Sequence, residues 1–216
     1  MKKIAVILSG CGVFDGSEIH ESVISLLAIR RQGASYQCFA PNVPQYHVID
    51  HLTGDEQSER RNVLKEAARI ARGEIQDLKQ LDPSEFDALL IPGGFGAAKN
   101  LCDFAIQGPE FQLNPQLQRV ASAFAKAKKP AGYLCIAPVM IPHFYGPGVE
   151  LTIGKDPQTA AAITALGGKH IECAVDDYVY DEQHRVLSTP AYMLAGSIEE
   201  AADGIEKLVA KLVEIA

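Results

Sequence analysis

Cys135 stands in Ala131-Gly132-Tyr133-Leu134-Cys135-Ile136-Ala137-Pro138, where one short apolar run ends at a thiol and another begins. The run up to Leu134 reads as a buried strand and 136–145 as the helix after it. The cysteine then occupies a sharp strand-to-helix turn, the geometry of a nucleophile elbow. Unpaired N–H groups at such a helix start carry partial positive charge. They favour thiolate over thiol and can hold a developing oxyanion. The residues alone leave a second reading level with this one, because a free cysteine is also a common small hydrophobe of cores.

Glu18, His20 and Glu21 lie in the first turns of the helix expected over 17–32. On a helical wheel Ile19, Val23, Ile24, Leu26, Leu27 and Ala28 form a broad apolar arc, with His20 near its middle and Glu21 at its margin. A carboxylate held there, at the carboxyl edge of a sheet, is a candidate acid/base whose pKa burial would raise toward neutrality. First-turn acids also complement the helix dipole, which suits an exposed Glu18 better than a partly buried Glu21. His20 is read first as a hydrogen-bonded core histidine and second as an accessory to the site.

Ile91-Pro92-Gly93-Gly94-Phe95-Gly96 supplies paired glycines after a strand, where backbone N–H groups can approach a ligand closely. Gly94 would give one oxyanion donor, with the N–H of Ile136 or Cys135 as the other and Gly93 beside them; a plain tight turn is the alternative. Gly10-Cys11-Gly12-Val13-Phe14-Asp15-Gly16 follows the first strand but misses dinucleotide-loop spacing, and no acidic residue closes the second strand. Its glycines are expected to keep the loop small so that the next helix can approach the sheet. Cys11 is read as an incidental buried cysteine, with a resolving thiol as the alternative. The six histidines are scattered without ligand spacing, so no metal site and no cofactor is expected.

These residues need a frame that brings them to one edge. Apolar runs at 4–8, 36–40, 86–91, 131–134, 151–153 and 171–175 read as strands, and 179–180 with 186–188 as a hairpin. Helical patterns cover 17–32, 58–72, 116–128, 136–145, 157–166 and 198–215. Their alternation implies an α/β fold with a mostly parallel sheet covered on both faces, its site outside the carboxyl ends of the strands. The 42–56 stretch is polar enough for a long loop, as a lid or subunit contact. The chain, 216 residues at net charge −7, fits one domain over 1–216 and lacks a basic footprint for nucleic acid. Five cysteines without a Cys-x-x-Cys pair suit a reducing compartment. The basic-then-apolar N-terminus is too short for a signal peptide, and no run reaches the length of a membrane span. A soluble, cytoplasmic protein is expected.

Four stretches together resemble the ThiJ/PfpI branch of the class I glutamine-amidotransferase-like superfamily, and within it the ElbB subfamily. They are Ile7 to Gly12 with Asp15 to Glu21, Pro92 to Leu101, Cys135 to Pro138, and Asp176-Asp177 with Thr189 to Met193. The resemblance implies a flavodoxin-like three-layer sandwich, usually homodimeric. It places the family's elbow cysteine at Cys135 and its helix-borne glutamate at Glu21. The His-x-Glu of true glutaminases is absent, since 188–193 reads Ser-Thr-Pro-Ala-Tyr-Met, so glutamine hydrolysis by that triad is not expected. Ile136 and 151–154 also lack the histidine that several members carry near the cysteine, leaving His20 and His143 as candidates to assist it. The implied activity is a cofactor-independent glyoxalase acting on a small aldehyde, glyoxal or a similar 2-oxoaldehyde, through a Cys135 hemithioacetal. The alternative is a redox-sensing or partner-binding protein, linked by the subfamily's name to isoprenoid metabolism.

Overall fold

The computed structural model describes every residue from Met1 to Ala216. In chain order its elements are β1 (Lys3–Ile7), α1 (Ile19–Arg31), β2 (Ser35–Ala40), α2 (Val63–Ile70), β3 (Ile75–Asp77), β4 (Ala88–Ile91), α3 (Phe95–Lys99) and α4 (Phe104–Gln107). There follow α5 (Pro115–Lys126), β5 (Ala131–Leu134), α6 (Ile141–Tyr145), β6 (Glu150–Leu151), α7 (Pro157–Ala165), β7 (Lys169–His170), β8 (Val179–Asp181), β9 (Val186–Thr189) and α8 (Ile198–Ile215).

Seven strands form one sheet in the order β3-β2-β1-β4-β5-β9-β8, parallel except for the final β8–β9 pair. The register sets Leu89 beside Ala131 and Tyr133 beside Ser188. Central strands are apolar on both faces because both are covered. Ile4 and Val6 of β1 pack into a core with α1, α2 and α8, while Ala5 and Ile7 pack into a second core with α5. The result is the three-layer α/β sandwich that the alternating pattern implies. Gly132 of β5 leaves no room for a side chain, since a Cβ there would come within 2.9 Å of Leu208 on α8.

Several elements depart from the sequence expectation. The helix expected over 136–145 is a 3-10 turn (Ala137–Met140) followed by short α6. Pro138 and Pro142 lack the N–H groups a continuous α-helix needs, and the tighter turn absorbs them. The strands expected at 151–153 and 171–175 shrink to β6 and β7, which pair outside the main sheet, and 171–175 itself is irregular. Strand β3, only three residues long, escapes pattern reading altogether. The 42–56 stretch is irregular, as expected, and is tied down by the Ile49 N–H donating to Asp15 at 2.8 Å.

Candidate active site

Strand β5 delivers Cys135 to the carboxyl edge of the sheet at φ 59, a left-handed conformation rare for a residue with a side chain. Such strain costs roughly 1–3 kcal/mol and tends to gather at functional turns. A second instance lies beside it, for Ala191 after β9 sits at φ 43. The two turns are joined where the Cys135 N–H donates to the Thr189 carbonyl at 3.0 Å. That bond consumes the Cys135 N–H, so of the two donors considered to complement Gly94, only Ile136 remains available. The N–H groups of Gly94 and Ile136 lie near enough to the Cys135 thiol to favour its thiolate.

Glu21 comes to the same point from α1. Glu18 caps that helix by accepting the Glu21 N–H at 2.6 Å, which fixes the first turn. The Glu21 carboxylate is fully buried and accepts the N–H of Gly93 at 2.8 Å and of Tyr192 at 3.2 Å. Gly93 returns the contact with its carbonyl, which accepts the Glu18 N–H at 3.0 Å. A Cβ on Gly93 would overlap that of Cys135 and stand 2.9 Å from Glu21 Oε2, so carboxylate and thiol flank one bare peptide. The sequence places Gly93 at the oxyanion or substrate position. Its N–H is committed to Glu21 instead, which makes it the residue that positions the base.

Burial, and then the nearby Glu18 charge, push the Glu21 pKa up to about 7, against the pull of the Gly93 and Tyr192 N–H groups and the Cys135 thiol. Cys135 moves the same way. Burial and the Glu21 carboxylate raise its pKa well above the usual thiol range, and the Gly94 and Ile136 N–H groups offset only part of this. This corrects the expectation of a preformed thiolate. The turn after Cys135 is 3-10 rather than a long α-helix, so its dipole is weak against desolvation and a carboxylate. At neutral pH the thiol keeps its proton and faces a base that titrates near 7.

Cys135 lines a cavity of about 450 Å³ together with Gly94, Phe95, Phe104, Ile136, Tyr192 and Met193, whereas Glu21 is fully buried and does not line it. His20 is exposed rather than core, its Nδ1 2.7 Å from the Tyr192 hydroxyl, so it reaches the site only through Tyr192. The wheel misplaces it because one flank of the apolar arc faces outward, with Ile19, Val23 and Leu27 all more than 40% exposed while Leu26 and Ala28 are buried. His143 packs on Phe111 at 4.4 Å and does not line the cavity. Cys11 is half-buried, its thiol raised by burial and by Glu66, and it too lies outside the cavity lining. Nowhere do three or more His, Cys, Asp or Glu side chains gather as a metal site would need. The residue that sequence reasoning undervalues is Tyr192, whose backbone clamps Glu21 and whose ring walls the cavity. Its signal is a Pro-Ala-Tyr turn directly after a strand.

No protein-family model matches the chain. Among known proteins it is 45% identical over 223 residues to the rat "ES1 protein homolog, mitochondrial", covering 99% of this chain and 84% of that one. Identity is also 45% to human "Glutamine amidotransferase-like class 1 domain-containing protein 3, mitochondrial", over 99% of this chain and 83% of that protein. A crystal structure from Ehrlichia chaffeensis, described as an isoprenoid biosynthesis protein with an amidotransferase-like domain, superposes with TM-score 0.93 at 37% identity, covering 100% of this chain and 99% of its own. A DJ-1 superfamily protein from Salmonella typhimurium, at 19% identity and TM-score 0.61 over 99% of this chain and 91% of its own, shares the fold. The cytoplasmic expectation is overturned here, since both curated relatives are named as mitochondrial proteins. Unpaired cysteines report a reducing environment, which is not an address. With its elbow cysteine and buried glutamate on this sheet edge, and identity of this extent along its length, the chain belongs to the ES1 family of glutamine amidotransferase-like class 1 proteins.

Proposed function

We propose that this chain is a cofactor-independent glyoxalase of the ElbB type, converting glyoxal or a similar 2-oxoaldehyde to the hydroxy acid, glycolate in the case of glyoxal. The observation that carries this reading is the buried Glu21–Cys135 pair, in which a carboxyl titrating near 7 faces a thiol that holds its proton. Glu21 takes that proton as the sulfur adds to the aldehyde carbon, and the carbonyl oxygen, after protonation, becomes the hydroxyl of a hemithioacetal. Having given the thiol proton to that oxygen, Glu21 is free to take the proton on that carbon and return it to the neighbouring carbonyl carbon, which turns the adduct into a thioester of the hydroxy acid. Water then cleaves the thioester and restores the thiol. The sequence is an internal oxidation and reduction that consumes only water. N–H groups of Gly94 and Ile136, already beside the sulfur, are placed to stabilise the oxyanion.

The test is turnover of glyoxal by Cys135→Ala, expected to fall to background, and by Glu21→Gln, expected to fall by a factor on the order of 10³, each with the fold intact by circular dichroism. Retained turnover in either overturns the mechanism. The redox-sensor alternative asks for an accessible thiol of low pKa. Burial and a raised pKa at Cys135 count against it. An isoprenoid diphosphate would call for cations, and none lines the cavity. A homodimer is part of the same proposal, supported by the half-exposed Ile19, Val23 and Leu27 stripe on α1, which a second copy would cover.

A further inference from the structure

The glyoxalase reading, on which any assignment of substrate range rests, names a chemistry at the aldehyde and leaves the rest of the substrate open. Glyoxal is two carbonyl groups and nothing more, whereas the cavity above Cys135 holds about 450 Å³. Volumes of about 300–1,000 Å³ are those that enclose drug-sized ligands. None of its eleven lining residues carries a charge, and apart from Cys135 the side chains that offer a polar atom are Thr159 and Tyr192. Lys99, whose ammonium lies 5.4 Å from the Phe95 ring, donates to the Phe14 carbonyl and does not line the cavity. Phe104 is held edge-on to Phe111 at 5.6 Å, which fixes it as a flat aromatic wall.

The cavity does not end there. A second hollow of about 560 Å³ shares Phe104, Ala105 and Thr159 with it and continues along the small residues of α7 and Pro109, again without a charged side chain. A substituent on the carbon next to the aldehyde would leave Cys135 along this path. Apolar surface buried there contributes roughly 25 cal/mol per Å², and an unpaired charge on the same path would be penalised.

We propose that the site takes neutral 2-oxoaldehydes bearing an aryl or branched alkyl group, the aldehyde at Cys135 and the substituent packed between Phe95, Phe104 and Met193 toward the second hollow. Phenylglyoxal, which with one water gives mandelate, is a suitable probe. The experiment compares kcat/KM for glyoxal, methylglyoxal, phenylglyoxal and a ring-carboxylated phenylglyoxal, each over the Cys135→Ala background. A rise of at least tenfold from glyoxal to phenylglyoxal, abolished by the ring carboxylate, is expected. Ala105→Trp, which fills the passage between the two hollows, should bring the phenylglyoxal-to-glyoxal ratio toward one. Equal or better turnover of glyoxal by the unmodified protein overturns this substrate assignment while leaving the glyoxalase reading standing. Absence of Cys135-dependent turnover with every aldehyde overturns both.

Discussion

Helices α1 and α8 cover the same face of the sheet and pack against each other, yet α1 alone buries a row of polar side chains beside its apolar ones. Along α8 the apolar stripe of Ala201, Ile205, Leu208, Val209 and Leu212 is fully buried, as its periodicity demands. Along α1 Glu21, Ser22 and Ser25 are fully buried beside Leu26, Ala28 and Ile29, while Ile19, Val23 and Leu27 stand half out of the protein. Hydrophobicity does not account for those buried polar side chains. Their cause lies at the helix start, where the Glu18 cap and the Gly93 peptide fix the rotation of the first turn so that Glu21 meets Cys135. Helix α8 is oriented by its core alone, and α1 by its core together with the Glu18 and Glu21 contacts to Gly93.

The contrast is broken most severely at Glu21. Glu21→Gln should lower glyoxal kcat/KM by a factor on the order of 10³, within the usual range for a positioned acid/base. Leu208→Ala on α8 should do the reverse, costing about 3 kcal/mol of stability by cavity formation while leaving kcat of the folded fraction near that of the parent. Chemical denaturation and single-temperature kinetics read the two effects separately.

The pH dependence of stability sharpens the same contrast. An unfolded Glu21 releases its proton near 4.5, whereas the folded protein holds it until about 7. Between those values the unfolded chain binds fewer protons, so this group makes the protein less stable as pH rises, by about 3 kcal/mol in all, with no further change above 7. Urea midpoints measured across that window should show the decline in the parent and lack it in Glu21→Gln. Activity should move the opposite way, rising through about pH 7 as Glu21 becomes a base.

Ser25 gives a smaller effect, since its buried hydroxyl has no hydrogen-bond partner. Ser25→Ala is expected to stabilise by about 1 kcal/mol, as removal of an unsatisfied polar group does. Val23→Lys, on the exposed stripe, should change protomer stability by no more than about 0.5 kcal/mol. If a second copy covers that stripe, the same change should shift sedimentation from dimer toward monomer.

Much of this frame is legible in the sequence, because continuous apolar runs can only be strands covered on both sides. The 198–215 helix is read to the residue, and Cys135 and the paired glycines lie in turns directly after strands, as expected. Periodicity cannot say which side of α1 turns inward, since an apolar arc marks burial against something without naming what. That is why His20 is misplaced and why Glu21, read as partly buried, turns out fully enclosed. The thiol's protonation state is also out of reach, for it depends on a desolvated carboxylate arriving from more than a hundred residues away. Two-residue strands such as β6 and β7 are too short to leave a pattern.

Where the loops after β1 and β4 meet, the contact is made of main chain. Gly96 donates to the Gly16 carbonyl at 2.8 Å, Phe95 to Val13 at 2.7 Å, and a Cβ on Gly94 would collide with Gly16 and Glu18. The start of the helix that carries Glu21 is thereby seated on the Gly93–Gly94 turn through peptide groups that every amino acid carries. Walls such as Phe104, Ala105 and Thr159 belong to other segments and take no part in that joint. Under the proposed glyoxalase chemistry, the cavity walls can therefore change over evolutionary time, or in an engineer's hands, without disturbing that joint.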